Sequence, residues 1–210
     1  MNILNQMAEN LMKGKANEVR NLTKQAIDEG INVEDILNKG MISAMNTVGE
    51  RFKRNEIYVP EMLIAARAMR AGMEILQPKL TETGVEPIGT VIIGTVKGDL
   101  HDIGKNLVRM MLEGAGFKVI DVGIDVPEQK FIDAARLNNA SVIGISALLT
   151  TTMVNMKSVI KMIKASDIAS KVKTMVGGAP VTQSFCNEIG ADGYAPDAAS
   201  AADLAKKLIG

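Results

Sequence analysis

One cysteine, one histidine, no tryptophan, two tyrosines and four phenylalanines are all that the 210 residues contain of these types. A lone Cys186 excludes an intramolecular disulfide framework and any cysteine-cluster metal site. A lone His101 excludes the two-His and three-His zinc sites. So few aromatic rings leave little on which nucleobases could stack. Charge of neither sign dominates: 24 Lys and Arg stand against 24 Asp and Glu, so bulk electrostatics make no case for nucleic acid or an anionic membrane surface. No stretch reaches the length of apolar chain needed to span a bilayer. The opening MNILNQMAENLMKGK also lacks the basic flank and apolar run of a signal peptide. These absences point to a soluble protein of a reducing compartment, expected in the cytoplasm.

What is present is apolar and periodic. Hydrophobic residues make up 47% of the chain and methionine alone contributes 14, ample for a core and suited to irregular or exchangeable contacts. Up to about residue 80 the apolar positions recur at helical spacing: Ile3, Leu4, Met7, Leu11; Val19, Leu22, Ala26; Val33 to Phe52; Met62 to Leu76. Gly14 and Gly30 mark ends, Asn32 suits an N-cap and Pro60 a first helical position. Four amphipathic helices on short links predict a small antiparallel bundle over 1–80. The fourth is expected to run out near Gln77-Pro78, with 81–87 (TETGVEP) as a linker.

From residue 88 to 210 the period changes. Short β-rich runs at 88–96, 118–122, 141–146, 172–176 and 193–194 alternate with helical stretches at about 103–115, 127–138, 152–165, 181–189 and 197–208. Such alternation predicts an α/β domain, a doubly wound five-stranded parallel sheet of the flavodoxin-like, Rossmann type. Ligands of such sheets sit at the carboxyl ends of strands, so the loops after strands one, three and four carry the expected site.

The first loop reads Gly98-Asp99-Leu100-His101-Asp102-Ile103-Gly104. It is neither GxxxxGK[ST] nor GxGxxG, so phosphate-loop and dinucleotide chemistry are not indicated. Asp99, two residues before the histidine, could fix one imidazole nitrogen and leave the other as a ligand or base. A histidine that merely caps the following helix fits the loop equally well. In the third loop Ser146 stands at the strand tip, while Thr151 or Thr152 suits a helix cap. After strand four, Gly177-Gly178 offers backbone without side-chain bulk, as an ordinary tight turn also would. A hydrolase triad of Asp99, His101 and Ser146 is disfavoured, because Gly144-Ile145-Ser146-Ala147-Leu148 is not a nucleophile elbow.

Taken together the three loops resemble the cobalamin-binding signature DxHxxG…SxL…GG, here Asp99-Leu100-His101-Asp102-Ile103-Gly104, Ser146-Ala147-Leu148 and Gly177-Gly178. The preceding helices are similar to the four-helix cap that accompanies this module in methionine synthase. The whole chain most resembles the corrinoid carrier proteins of systems that demethylate methylamines, quaternary amines, methanol or aryl methyl ethers.

The resemblance implies a cobalamin or related corrinoid in the base-off form, its nucleotide tail in a slot beside the sheet and His101 as lower axial ligand of cobalt. It implies that Asp99 orients His101 and that Ser146 extends the relay. Gly98, Leu100, Asp102, Ile103 and Gly104 would contact the corrinoid, with Leu148, Thr150, Gly177, Gly178 and Tyr194 along the tail. Tyr58 and Met62 are similar in place to the cap residues over the reactive face, where relatives carry Phe. The implied function is a shuttle. Cobalt(I) accepts a methyl group from a substrate-specific methyltransferase, and a second methyltransferase removes it; a reductive activation protein is a further expected partner. A cobalamin-responsive sensor is the alternative, although the N-terminal helices lack the basic face of a DNA-reading module.

Overall fold

A computed structural model describes residues 2–210. The chain folds as two compact units, one of the residues up to Pro87 with Gly114–Gly116, the other of Ile88–Glu113 with Phe117–Gly210.

The first unit is helical: α1 (Ile3–Met12), α2 (Ala16–Asp28), α3 and α4 (Val59–Thr83). Helix α3 is assembled from Val33–Asp35, a π-helical stretch Ile36–Ile42 and Ser43–Lys53, which follow one another without a break. Asn2 accepts a hydrogen bond from the Leu4 amide, and Asn32 from those of Glu34 and Asp35. Both meet helix-start amides that lack a partner within the helix. The methionines turn inward. Met7, Met41, Met45 and Met62 are at most 1% exposed, so these methionines fill core gaps and offer no adaptable surface. Gly72, mid-helix, has its place because a Cβ there would lie 2.6 Å from the Met41 methyl and 3.0 Å from Val19.

Two details depart from the sequence expectation. Helix α4 does not end at Pro78 but continues to Thr83 and stops at Gly84, whose φ of +72° is left-handed. Proline removes one N–H, yet Leu76 and Leu80 lie four residues apart and are both buried. The Thr81 and Thr83 hydroxyls also bond the carbonyls of Gln77 and Lys79. The π-helical turns, wider than α, carry no sequence signature of proline or paired glycine.

The second unit alternates β1 (Thr90–Val96), α5 (Ile103–Gly114), β2 (Lys118–Val126), α6 (Glu128–Leu137), β3 (Val142–Ser146), α7 (Thr150–Lys164), β4 (Lys173–Gly177), α8 (Gln183–Ile189), β5 (Gly193–Tyr194) and α9 (Ala198–Ile209). All pairings are parallel, in the order β2-β1-β3-β4-β5, the flavodoxin-like doubly wound arrangement. Central β1 is buried along six of its seven residues, as a strand covered on both faces must be. Ile92, Leu112, Ile143, Phe131 and Ile132 are among the largest enclosed side chains of this half. Strand β2 runs four residues beyond the expected Val122, through Gly123 and Asp125 at φ +99° and +51°. Its register against β1 shifts twice there. Gly and Asp read as breakers in the sequence, whereas here they bend the strand end toward the neighbouring loop.

Candidate functional site at the carboxyl edge of the sheet

The strand order reverses between β1 and β3, so their carboxyl ends frame the crevice where such folds hold ligands. Registration aligns Thr95, Ser146 and Gly177 in one row across that edge. The loop leaving β1 is anchored first by Thr95, a buried residue whose hydroxyl donates to the His101 carbonyl at 2.9 Å.

Asp99 is the centre of the site. It is wholly buried. Its Oδ1 accepts from the His101 amide at 3.0 Å and pairs with His101 Nδ1 at 2.8 Å. Its Oδ2 accepts from the Thr152 hydroxyl at 2.6 Å and from the amides of Leu148 at 2.8 Å and Leu149 at 3.3 Å. Burial alone would raise this carboxyl. The bonds from Thr152, Leu148 and His101 outweigh it and hold the group well below the usual carboxylate range. An ionised carboxylate can only accept, so in the neutral ring Nδ1 carries the proton and Nε2 keeps its lone pair. The imidazole is half exposed.

Around that ring the surface is apolar. Leu100 and Ile103, at 67% and 78% exposure, flank His101, and Leu148 and Leu149 stand at 43% and 42% beside it. So much bare aliphatic surface around one polar atom marks a ligand face. A Cβ at Gly104 would meet nothing within 4 Å, which leaves a flat step next to the histidine. Asp102 is half-buried, its carbonyl accepting the Asn106 amide at the start of α5.

The remaining sequence candidates fall into two groups. Gly98, Ser146, Leu148, Gly177, Gly178 and Tyr194 lie along the same edge, on β3, β4, β5 or the loops that leave the strands, and Thr150 opens α7 there. Gly178 has φ +132°, and a Cβ there would fall 1.8 Å from the Ala147 carbonyl oxygen; the close approach of β3 and β4 loops already demands glycine. Tyr58 and Met62 belong to the helical unit. Tyr58 is 64% exposed, with its amide bonded to Glu61. Met62 is enclosed completely, on the inward stripe with Ala65, Ala66 and Met69, and so presents no surface to a ligand.

No hydrogen bond among the described residues joins Ser146 to Asp99; the side-chain hydroxyl on that carboxylate belongs to Thr152. Nor does Thr151 or Thr152 cap α7, whose N-cap is Leu149 and has no side-chain cap bond. Of the three consecutive threonines only Thr152 is buried, a phase that follows from where α7 begins. Lys105 is a second residue that sequence reasoning passed over. It is 3% exposed, and its ammonium is paired with Asp121 on β2, which also faces Arg109 at 3.6 Å.

The donor set can be tested against a bound metal. Among the described residues no three His, Cys, Asp or Glu side chains converge. What the site offers is one oriented imidazole nitrogen ringed by aliphatic surface. That suits a metal already held equatorially by its own large ring and wanting one axial donor.

Residues 89–203 match a family described as the B12 binding domain, and residues 3–77 match a second family of that description. The chain belongs to the B12-binding corrinoid proteins. A dimethylamine corrinoid protein of Methanosarcina barkeri is 43% identical over 208 residues, which are 99% of this chain and 97% of that relative. Among solved structures, a cobalamin-binding protein from Desulfitobacterium hafniense DCB-2 is similar at a TM-score of 0.82 and 29% identity, covering 99% of this chain and 98% of that one. The methanol:cobalamin methyltransferase complex from Methanosarcina barkeri gives a TM-score of 0.86 at 29% identity, covering 99% and 79%. As in those corrinoid proteins, the helices and the sheet are both part of the match. Among the described residues no helix is long and apolar enough to cross a membrane.

Proposed function

We propose that the chain is a methyl carrier that binds cobalamin or a related corrinoid base-off, with Nε2 of His101 as the lower axial ligand. The observation that carries this reading is the Asp99–His101 pair: a buried, five-bonded carboxylate fixes one ring nitrogen and frees the other within an aliphatic rim. When bound, the corrinoid supplies a cobalt centre that accepts a methyl group as a nucleophile and gives it up again. The chain's own residues do the rest. Asp99 keeps the proton on Nδ1 and thereby makes Nε2 the better donor. Thr152 and the Leu148 amide keep Asp99 ionised. Leu100, Ile103 and Gly104 form the apolar floor for a flat ring, and the paired Ser146 and Gly177, with Tyr194 one position short of their row, follow the sheet edge along which a nucleotide tail would lie.

Relatives along the whole chain are named for dimethylamine, and a structural relative sits in a methanol:cobalamin methyltransferase complex. These names support methyltransferase partners: one specific for the methyl donor, and one for the acceptor. They favour a carrier over a cobalamin-responsive sensor. A reductive activation protein belongs to the same reading as a further partner.

The test is a visible spectrum after incubation with hydroxocobalamin and desalting. The protein has two Tyr and no Trp, so retained corrinoid stands out. Stoichiometric retention with histidine-ligated, tail-displaced bands is expected, and His101→Ala should keep colour but lose those bands. A colourless wild type, or spectra identical in the two proteins, would refute the assignment.

A further inference from the structure

The Lys97–Gly98 peptide is gripped at both of its polar ends by residues from two different elements. Val96 to Asp99 forms a four-residue turn, closed by the Asp99 amide on the Val96 carbonyl at 3.1 Å. Gly98 has φ +81°, and Lys97 is not among the described residues with positive φ, which is the type II arrangement. In such a turn the central peptide is the variable part: rotating it by about half a revolution gives type I while the closing bond survives. Here its carbonyl, on Lys97, accepts from Asn155 Nδ2 at 2.8 Å. Its N–H, on Gly98, donates to Asp125 Oδ1 at 2.7 Å. Asp125 is tied to the same turn a second time, its own amide donating to the Asp99 carbonyl at 3.0 Å.

The two clamps come from opposite sides of β1: Asp125 from the end of β2, Asn155 from α7. Asp125 is left-handed at φ +51°, a conformation few non-glycine residues hold without support. It sits in the part of β2 whose register slips against β1. Without that slip the strand end would not come under the loop. Neither residue hydrogen-bonds His101 among the described residues; both fix the Lys97–Gly98 peptide, one peptide before the Gly98–Asp99 link.

We infer that Asp125 and Asn155 are positioning residues for the axial histidine: by locking the Lys97–Gly98 peptide they set where Asp99 presents its carboxylate to the ring. This rests on the corrinoid reading for its purpose, since an axial bond to a metal tolerates displacement of only about half an ångström. The clamp itself is a property of the ligand-free chain.

The experiment uses that fact. His101 is the sole histidine, so the ring nitrogens of uniformly 15N-labelled, corrinoid-free protein give one unambiguous pair of signals. At alkaline pH the wild type is expected to show the Nδ1–H tautomer. Asp125→Ala and Asn155→Asp should each raise the Nε2–H fraction by roughly fivefold, the worth of one hydrogen bond. Asp125→Asn, which keeps an acceptor for Gly98, should restore the wild-type ratio, a rescue that general destabilisation would not produce. Should Asp125→Ala fail to fold, Asn155→Asp and Asp125→Asn decide the matter by themselves. An unchanged tautomer ratio in Asn155→Asp, with faster hydrogen exchange at Gly98, would overturn the inference. Loaded with hydroxocobalamin, the two disruptive variants should lose the histidine-ligated bands in the same proportion. If even the wild type takes up no corrinoid, the corrinoid reading falls, while the ring signals still decide what the clamp does.

Discussion

The Thr152 hydroxyl meets the Asp99 carboxylate at 2.6 Å across 53 positions of sequence. That contact ties the loop after β1 to the first turn of α7 and closes the crevice at the point where strand order reverses. The Leu149 carbonyl lies 3.0 Å from the same hydroxyl, and the single proton goes to the nearer, charged acceptor. Thr152→Val removes the hydroxyl at nearly constant volume and leaves a buried carboxylate short of one donor. A loss of about 1.5–3 kcal/mol is expected from a bond to a charged group, read as a lower urea midpoint at unchanged slope. Thr152→Ser should recover most of it. Equal midpoints for Thr152→Val and wild type would show that the amides of Leu148 and Leu149 suffice.

Acid titration isolates Asp99. Its folded-state affinity for a proton is weaker than that of an unfolded Asp, whose ordinary value is 3.8. The stability it contributes is therefore complete above about pH 5 and is lost as pH falls through 3.8 toward the lower folded value. Asp99→Asn lacks this dependence. Wild type should exceed the variant by roughly 2 kcal/mol or more at pH 6, and the gap should narrow steadily between pH 4 and pH 2. Chemical denaturation of both proteins across that range measures it, because every other carboxylate is common to the two. A gap independent of pH would mean that Asp99 is not held ionised by its bonds.

Periodicity made most of the architecture legible. Four amphipathic helices and then alternating strands and helices are written in residues 3–76 and 88–208, because one-sided burial imposes its period directly on sequence. The Asp99–His101 contact was legible too, being local. What sequence could not show is tertiary. Ser146 and Thr152 are both hydroxyls near the end of β3, and only the start of α7 at Thr150 decides which of them turns toward Asp99. Met62 stands in the apolar stripe that periodicity gave for its helix, and that same stripe encloses it, which leaves no surface for the cap role the resemblance implied. Asp125 looks like the breaker that ends β2; the shifted pairing with β1 makes it part of the sheet. Each miss is a choice among chemically similar residues made by packing across long sequence separations.

Lys105 offers a test of an interaction buried beside the site. Its ammonium, 3% exposed, is paired with Asp121, which also accepts the Gly123 amide at 2.9 Å and faces Arg109 at 3.6 Å. The pair fastens the first turn of α5, just beyond Gly104, to β2. Lys105→Met leaves the carboxylate with weaker partners, and a cost of about 3 kcal/mol is expected for breaking a buried pair. Removing the charge on the other side as well, in Lys105→Met/Asp121→Asn, should return part of that loss. The coupling energy from the four-protein cycle, read by urea denaturation, is expected to be at least about 1 kcal/mol. Strict additivity would place the two residues outside each other's influence.

Two glycines of the site should respond oppositely to the same substitution. At Gly178 a Cβ would lie 1.8 Å from a backbone oxygen, with φ at +132°, so Gly178→Ala must move one loop away from the other. Several kcal/mol of lost stability are expected, since neither chain can yield by rotating a side chain. At Gly104 a Cβ would meet open space, and the residue lies in the first turn of α5. There alanine should raise the stability of the ligand-free protein by up to about 1 kcal/mol, the usual gain over glycine in a helix. If the flat step beside His101 is the floor of a bound ring, the same methyl group stands in that ring's place. Gly104→Ala should then melt higher than wild type without corrinoid yet retain less hydroxocobalamin after desalting. A variant that gains stability and retains corrinoid equally well would free Gly104 from any part in binding and leave its glycine to explain on other grounds.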